Sequence, residues 1–235
     1  MIAKQPKPSL NLRIGIRVIN ESTQETNQLI PMLQLFPGNI NSRHLQKAVD
    51  ILKSDGVLII PTDTVYALAC SLKSRKAFER ICEIKNIKPS QANFSIVFTD
   101  FSSLSDYAKP FSREVFRVMK SNLPGPFTFI LNASSNVPDI FKSKKKTIGI
   151  RIPDHEIDRS LINELGNPLV VSSLHSDDEI KDYYSDAGEI EREYADKVDL
   201  IIDGGFSEMI ASTVIDCTGD EPVLIREGKG FLNSD

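Results

Sequence analysis

The stretch Gly56-Val-Leu-Ile-Ile-Pro-Thr-Asp-Thr-Val-Tyr-Ala-Leu-Ala-Cys70 decides how the chain is read. Four consecutive aliphatics, Val57 to Ile60, predict a strand buried on both faces, since a strand with one wet face would alternate. Pro61 then stops the ladder, because it has no N–H to donate. Thr62, Asp63, Thr64 and Tyr66 put hydroxyls and a carboxylate at the carboxyl end of that strand. In open α/β sheets this is the edge where ligands sit. The same residues also suit a turn closed by side-chain-to-backbone hydrogen bonds, and spacing alone does not choose between the two.

Working outward, Leu45, Ala48, Val49 and Leu52 share one helical face upstream, with Asn41 or Ser42 as the cap and Gly56 as the stop. Downstream, strands and helices alternate. Ala77, Phe78, Ile81 and Cys82 mark a helix, Phe94 to Phe98 a strand, and Val115, Phe116 and Met119 a third helix. Strands follow at Phe127 to Leu131 and Thr147 to Ile152. Ile157, Leu161, Ile162 and Leu165 form a helix ending at Gly166, and Leu169 to Ser173 is another buried strand. Residues 174–197 are polar and acidic with a short helix near Glu189 to Ala195. Val198 to Ile202, Thr213 to Cys217 and Pro222 to Ile225 complete the strands. This order predicts an α/β fold with a large twisted open sheet and helices packed on it. The closing hairpin through Thr218-Gly-Asp-Glu221 makes the sheet mixed. Residues 1–32 stand apart as an N-terminal extension whose piece Ile14 to Ile19 suits an edge strand. The main domain spans 33–230, and 231–235 is a tail.

Composition narrows the function. Hydrophobic residues make up 40% of the 235 positions, enough for a core. No apolar run approaches the ~18–20 residues that span a bilayer. The N-terminus lacks a signal-peptide pattern, so a cytoplasmic protein without a membrane partner is expected. Cys70, Cys82 and Cys217 are too few and too scattered for a disulfide framework or zinc knuckle, and His44, His155 and His175 are too dispersed for a metal site. A net charge of −4 argues against a chain that coats nucleic acid indiscriminately. There is no GxxxxGK[ST] loop, GxGxxG turn, GxSxG elbow or HExxH helix. A nucleotide would have to be held by scattered cations and backbone amides.

Lys85, Arg151 and Arg226 are such cations, each at the end of an element. An isolated cation there is usually a solvated charge. Three at comparable places, beside hydroxyl-rich strand ends, point to an anion site. Lys142, Lys144, Lys145 and Lys146, followed by Arg151, form a basic run that suits either an RNA backbone or a solvated loop.

The motif IIPTDTVYAL resembles the opening signature of the YrdC-like family, the threonylcarbamoyl-AMP synthases and their relatives. PGPFTFIL (124–131), TIGIRIPDHEI (147–157), NPLVVSS (167–173) and STVIDCTGDEPVLIREGKG (212–230) resemble further signatures in the family's order. RICEIKNI, NFSIVFTDFSSLS and KKKTIGIR are similar to the YciO branch. The resemblance spans roughly residues 33–230. It implies a twisted open sheet with a deep concave surface. It also implies a cleft for ATP, L-threonine and bicarbonate that makes threonylcarbamoyl-adenylate for tRNA modification, with Mg2+ carried by the nucleotide. By position, Lys85 and Arg151 would be catalytic, and Thr64, Tyr66, Ser173 and His175 would bind substrate. Asn93, Ser95, Thr128, Ser212 and Arg226 would lie along the nucleotide. Lys142 and Lys144 to Lys146 would meet tRNA or double-stranded RNA, or the chain would be a non-catalytic RNA-binding module that keeps the cleft.

Two positions depart from the synthase pattern. Where synthases carry K-x-R, this chain has Lys85-Asn86-Ile87; where they carry S-x-N, it has Ser173-Leu174-His175. Losing one preorganised donor typically costs ~10²–10³ in rate, so a weak or divergent nucleotidyltransferase is expected.

Overall fold

In the computed structural model, residues 32–142, 146–175 and 183–232 are described. The piece Ile14 to Ile19, Lys144 and Lys145 lie outside them. In chain order the elements are β1 (Met32–Gln34), α1 (Ser42–Lys53), β2 (Leu58–Ile60), β3 (Ala67–Ser71), α2 (Arg75–Ile84) and β4 (Ser95–Val97). They continue with α3 (Leu104–Tyr107), α4 (Arg113–Asn122), β5 (Phe127–Asn132), β6 (Thr147–Arg151), α5 (Glu156–Leu165) and β7 (Leu169–Ser173). The last are α6 (Ala187–Tyr194), β8 (Leu200–Asp203), β9 (Thr213–Asp216) and β10 (Val223–Arg226).

Local chemistry explains the helix ends. Asn41 caps α1 by accepting from the amides of Arg43 and His44, Ser74 caps α2 through Ala77, and Ser112 caps α4 through Val115. Gly166 closes α5 at φ +74°, a left-handed conformation that a side chain would strain.

The ten strands form one sheet in the order β1-β8-β2-β3-β7-β4-β6-β5-β9-β10. Pairs β1·β8, β2·β8, β4·β6 and β5·β9 are parallel, and the other pairs are antiparallel, so the sheet is mixed and open. One face carries the larger core. There Phe78 and Ile81 of α2, Val115 and Met119 of α4 and Ile190 of α6 pack on Leu68, Ile96, Phe129 and Ile150. The opposite face is covered only in part. Val49 and Leu52 of α1 and Leu161 and Leu165 of α5 bury Leu58, Ala69, Val171 and Leu200. Of β4 only Val97 joins that cluster, and among the described residues no α-helix of the cluster reaches β6, β5, β9 or β10.

The sequence-based elements recur with three additions: β1, β3 and the short α3. The opening strand runs through Pro61 to Tyr66 straight into antiparallel β3, so that segment joins two neighbouring strands rather than leading into a helix. Phe116, expected on the buried face of the third helix, is 46% exposed. The buried face of α4 runs through Val115, Met119 and Asn122, one helical position away, and Phe116 meets Phe101 edge-on at 5.9 Å. β10 is an edge strand exposed along its length, with a register shift between Leu224 and Arg226.

Phe78 is 1% exposed and packs edge-to-face on Phe94 and Phe141, with ring centres 5.2 and 4.7 Å away. Phe78→Ala should therefore lower unfolding free energy by about 3–5 kcal/mol in urea titration. Phe116→Ala should cost less than about 1 kcal/mol.

Candidate functional site

The uncovered half of the second face is the floor of a cleft of about 540 Å³. Strand alternation builds it. On β5, Phe127, Phe129 and Leu131 enter the large core, while Thr128 and Ile130 face the cleft. Register then sets their neighbours: Thr128 lies beside Val214, Ile130 beside Gly149, and Gly149 beside Ser95. A Cβ at Gly149 would stand 2.9 Å from Ser95 Oγ and 3.2 Å from Thr128 Cγ2, so glycine keeps the floor deep. Thr128 and Ser212 join their hydroxyls at 2.8 Å.

Nine of the eleven positions assigned from sequence outside the lysine run line this space. Lys85, Asn93, Ser95, Thr128, Arg151, Ser173, His175, Ser212 and Arg226 all line it. Thr64 and Tyr66 do not. Both are 0% exposed. Thr64 Oγ1 accepts from Arg151 at 3.2 Å. The Tyr66 hydroxyl donates to the Gly205 carbonyl at 2.7 Å and accepts from Gly204 N–H at 3.3 Å. Burial, with help from Asp203 and Asp186, pushes the Tyr66 phenol up to about 12. In this conformation both residues support the wall and leave no hydroxyl for a ligand.

The cations are held differently from one another. Arg151, 5% exposed, forms an ion pair with Asp63, and Asp63 also accepts from the Asp154 amide at 3.3 Å. Asp63 thus does more than close a turn. It neutralises the arginine at the end of β6. Lys229 donates to the Asp63 carbonyl at 2.7 Å and lies 3.3 Å from Glu208. Lys85 donates to the Ser173 carbonyl at 2.8 Å, and burial holds its ammonium below the usual lysine range. Arg226 donates to the Ser212 carbonyl at 2.8 Å. His175 faces the cleft from beside Tyr183, the two rings 4.7 Å apart. Of the basic run, Lys142 is paired with Asp139 at 2.9 Å, and Lys146 is exposed.

Sequence reading passed over two kinds of residue. Phe94, Phe141 and Ile225 supply apolar lining, and nothing local marks them as such. Asp158 is fully buried behind the Arg151–Asp63 pair. Neither of its carboxylate oxygens has a hydrogen-bond donor, and His155 Nδ1 lies 3.4 Å away but out of line for one. Burial pushes the Asp158 carboxyl up, against the opposing pull of His155 and Arg151. No carboxylate lines the cleft among the described residues, and none of them form a group of three or more His, Cys, Asp or Glu able to hold a metal. This donor set does not fit a Mg2+ held by the protein.

Asp63→Ala would leave Arg151 buried without its counter-charge and should cost about 3–5 kcal/mol, read from urea unfolding. Asp158 has the opposite sign. Its folded value lies above its unfolded one, so ionising it as pH rises through the folded value lowers stability. Asp158→Asn should raise the urea midpoint relative to wild type at neutral pH, with the gap closing on acidification. A gap independent of pH would contradict this.

Comparison with known proteins gives a consistent picture. A family model described as telomere recombination, for the Sua5, YciO and YrdC proteins, matches residues 50–228. The Escherichia coli protein YciO is 40% identical over 198 residues, 83% of this chain and 94% of its own length. Its crystal structure superposes with a TM-score of 0.79 over 86% of this chain and 97% of that one. A threonylcarbamoyl-AMP synthase of Bacillus subtilis is 31% identical over 193 residues, 80% of this chain and 54% of the synthase. The structure of Pyrococcus abyssi Sua5 complexed with L-threonine has a TM-score of 0.76 at 29% identity, over 84% of this chain and 57% of that one. The chain therefore spans about half of these synthases and nearly all of YciO. With the model and these relatives matched along most of its described length, the chain belongs to the Sua5, YciO and YrdC family.

Proposed function

We propose that this protein is a divergent, slow threonylcarbamoyl-AMP synthase-like nucleotidyltransferase whose cleft takes an adenine nucleotide together with threonine. One observation carries the reading: Lys85, Arg151 and Arg226 line one concave surface with the Ser95, Thr128 and Ser212 hydroxyls and, among the described residues, no carboxylate. Such a surface favours anions, and phosphate oxygens need both cations and hydroxyl donors. The synthases and the threonine-bound Sua5 among its relatives support the choice of reactants. Attack of a threonine carbamate on the α-phosphate of ATP would build negative charge that the cations of the cleft offset, with pyrophosphate leaving.

Slowness follows from Ile87 and His175, both of which line the cleft. Ile87 offers no donor where the synthases offer a guanidinium. The RNA reading has less support, because Lys142 is already committed to Asp139.

Two measurements test this reading. Arg226→Ala should weaken adenine-nucleotide binding by at least about tenfold in calorimetry, since a charge-assisted contact contributes roughly 1.5–3 kcal/mol. Arg226 suits this test better than Arg151, whose removal would strand Asp63. Ile87→Arg with His175→Asn should raise pyrophosphate release dependent on both threonine and bicarbonate by about tenfold or more, non-additively if both touch one substrate. A well-folded double variant with no gain, or brisk wild-type turnover, would refute the account of the departures.

A further inference from the structure

Arg151 lines the cleft, yet its counter-charge lies inside the protein. Among the described residues both of its side-chain hydrogen bonds come from Nη2, one to the Asp63 carboxylate and one to Thr64 Oγ1 at 3.2 Å. Asp158, in the first turn of α5, is a second carboxyl close enough to feel the same guanidinium. The side chains of Arg151, Asp63 and Asp158 are all below a tenth exposed. Asp63 has two donors, Arg151 and the Asp154 amide, whereas neither oxygen of Asp158 has one. A carboxyl enclosed in this way, beside a cation already committed to another acid, holds a negative charge poorly and a proton well. The charges that act on it are Asp63 from the β2–β3 connection, Arg151 from β6, and His155 at the start of its own helix. Of the nearby acids, Asp154 is paired with Arg159 at 3.1 Å, and Glu156 accepts from the Gly38 amide.

Resting on the adenine-nucleotide reading above, we propose that ligand binding is coupled to protonation of Asp158: an anion that reaches Arg151 in the cleft draws a proton from solvent onto this carboxyl. One guanidinium then faces the ligand, Asp63 and Asp158. A proton on the donorless acid removes the excess negative charge and leaves the Arg151–Asp63 pair intact. It forms an O–H bond at Asp158, and no other bond changes. His155 Nδ1 lies 3.4 Å from Asp158 Oδ2 and has no partner of its own, so in the tautomer protonated on Nε2 it can accept from that O–H. With a side chain 14% exposed, His155 is also the member of the group nearest to water. Burial already favours the neutral acid, and a bound anion acts in the same direction. Ligand and proton therefore favour each other, and affinity falls as pH rises through the raised folded value of Asp158.

The test is isothermal titration calorimetry of the full chain with AMP, over a pH series from about 6 to 9 and in two buffers of different ionisation enthalpy, which counts the protons taken up. Protons belonging to AMP itself cancel when wild type is compared with Asp158→Asn. Wild type should take up more protons than the variant. Its affinity should fall with rising pH by about tenfold more than the variant's, the coupling expected for two nearby anions at an effective dielectric of ~20. Asp158→Asn, neutral at every pH, should match wild type at the acid end and bind more tightly at the alkaline end. Asp158→Leu, also neutral and of similar size, gives the same comparison should the amide disturb packing. Equal proton counts and parallel pH profiles in wild type and a folded neutral variant would overturn the coupling and leave nucleotide binding standing. Absence of AMP binding by wild type across the series would overturn both.

Discussion

One sheet of ten strands presents more surface than two helices can cover, and that shortfall is the constraint on which the site depends. On the face opposite the large core, α1 and α5 bury the strands around β2, β3, β7 and β8. Beyond them no described α-helix covers the same face, and its residues change accordingly. Ser95, Thr128, Gly149 and Ser212 stand where an apolar layer would otherwise need a cover. The cleft is thus not carved into a finished fold. It is the part of the sheet that the helices leave open, and a pleat with one face in a core and the other wet can carry polar groups without loss of packing.

The boundary between the covered and open halves is where charge is buried. Arg151 ends β6, and Asp63 comes from the connection between β2 and β3; their pairing ties the two halves together with both side chains below a tenth exposed. Burying one charge alone would be prohibitive, and each partner makes the other tolerable. Asp158 lies behind them as a second buried carboxylate, without a hydrogen-bond donor of its own. With two acids and one arginine out of water, burial drives the surplus acid towards its neutral form.

Much of this was legible in the residues. The helices announced themselves because α1, α2 and α5 repeat apolar side chains at helical spacing and end at Asn41, Ser74 or Gly166. The buried β2 showed as an unbroken aliphatic run. In contrast, β3 reads Ala-Leu-Ala-Cys-Ser, which has no β-branched or aromatic residue to signal a strand; its place between β2 and β7 decides its structure. β1 is three residues long, too short for any period. For the site, the polar residues at strand ends gave the cleft's cations and hydroxyls. The ion pair was illegible, because Asp63 and Arg151 are 88 positions apart and only the strand order brings them together. Thr64 and Tyr66 show the converse. Their motif drew attention to them, but the folded chain uses their hydroxyls internally.

The two unpaired cations have unequal mechanical footing. Lys85 stands at the end of a helix whose Phe78, Ile81 and Cys82 are anchored in the large core. Arg226 rides on β10, which has an irregular register, is exposed along its length and, among the described residues, has a neighbour on one side only. One jaw of the cleft is fixed and the other is compliant, because local opening is easiest where a strand has few buried contacts. A ligand that reached Arg226 would therefore act on the edge as well: part of its interaction would go into holding the outermost strand in place.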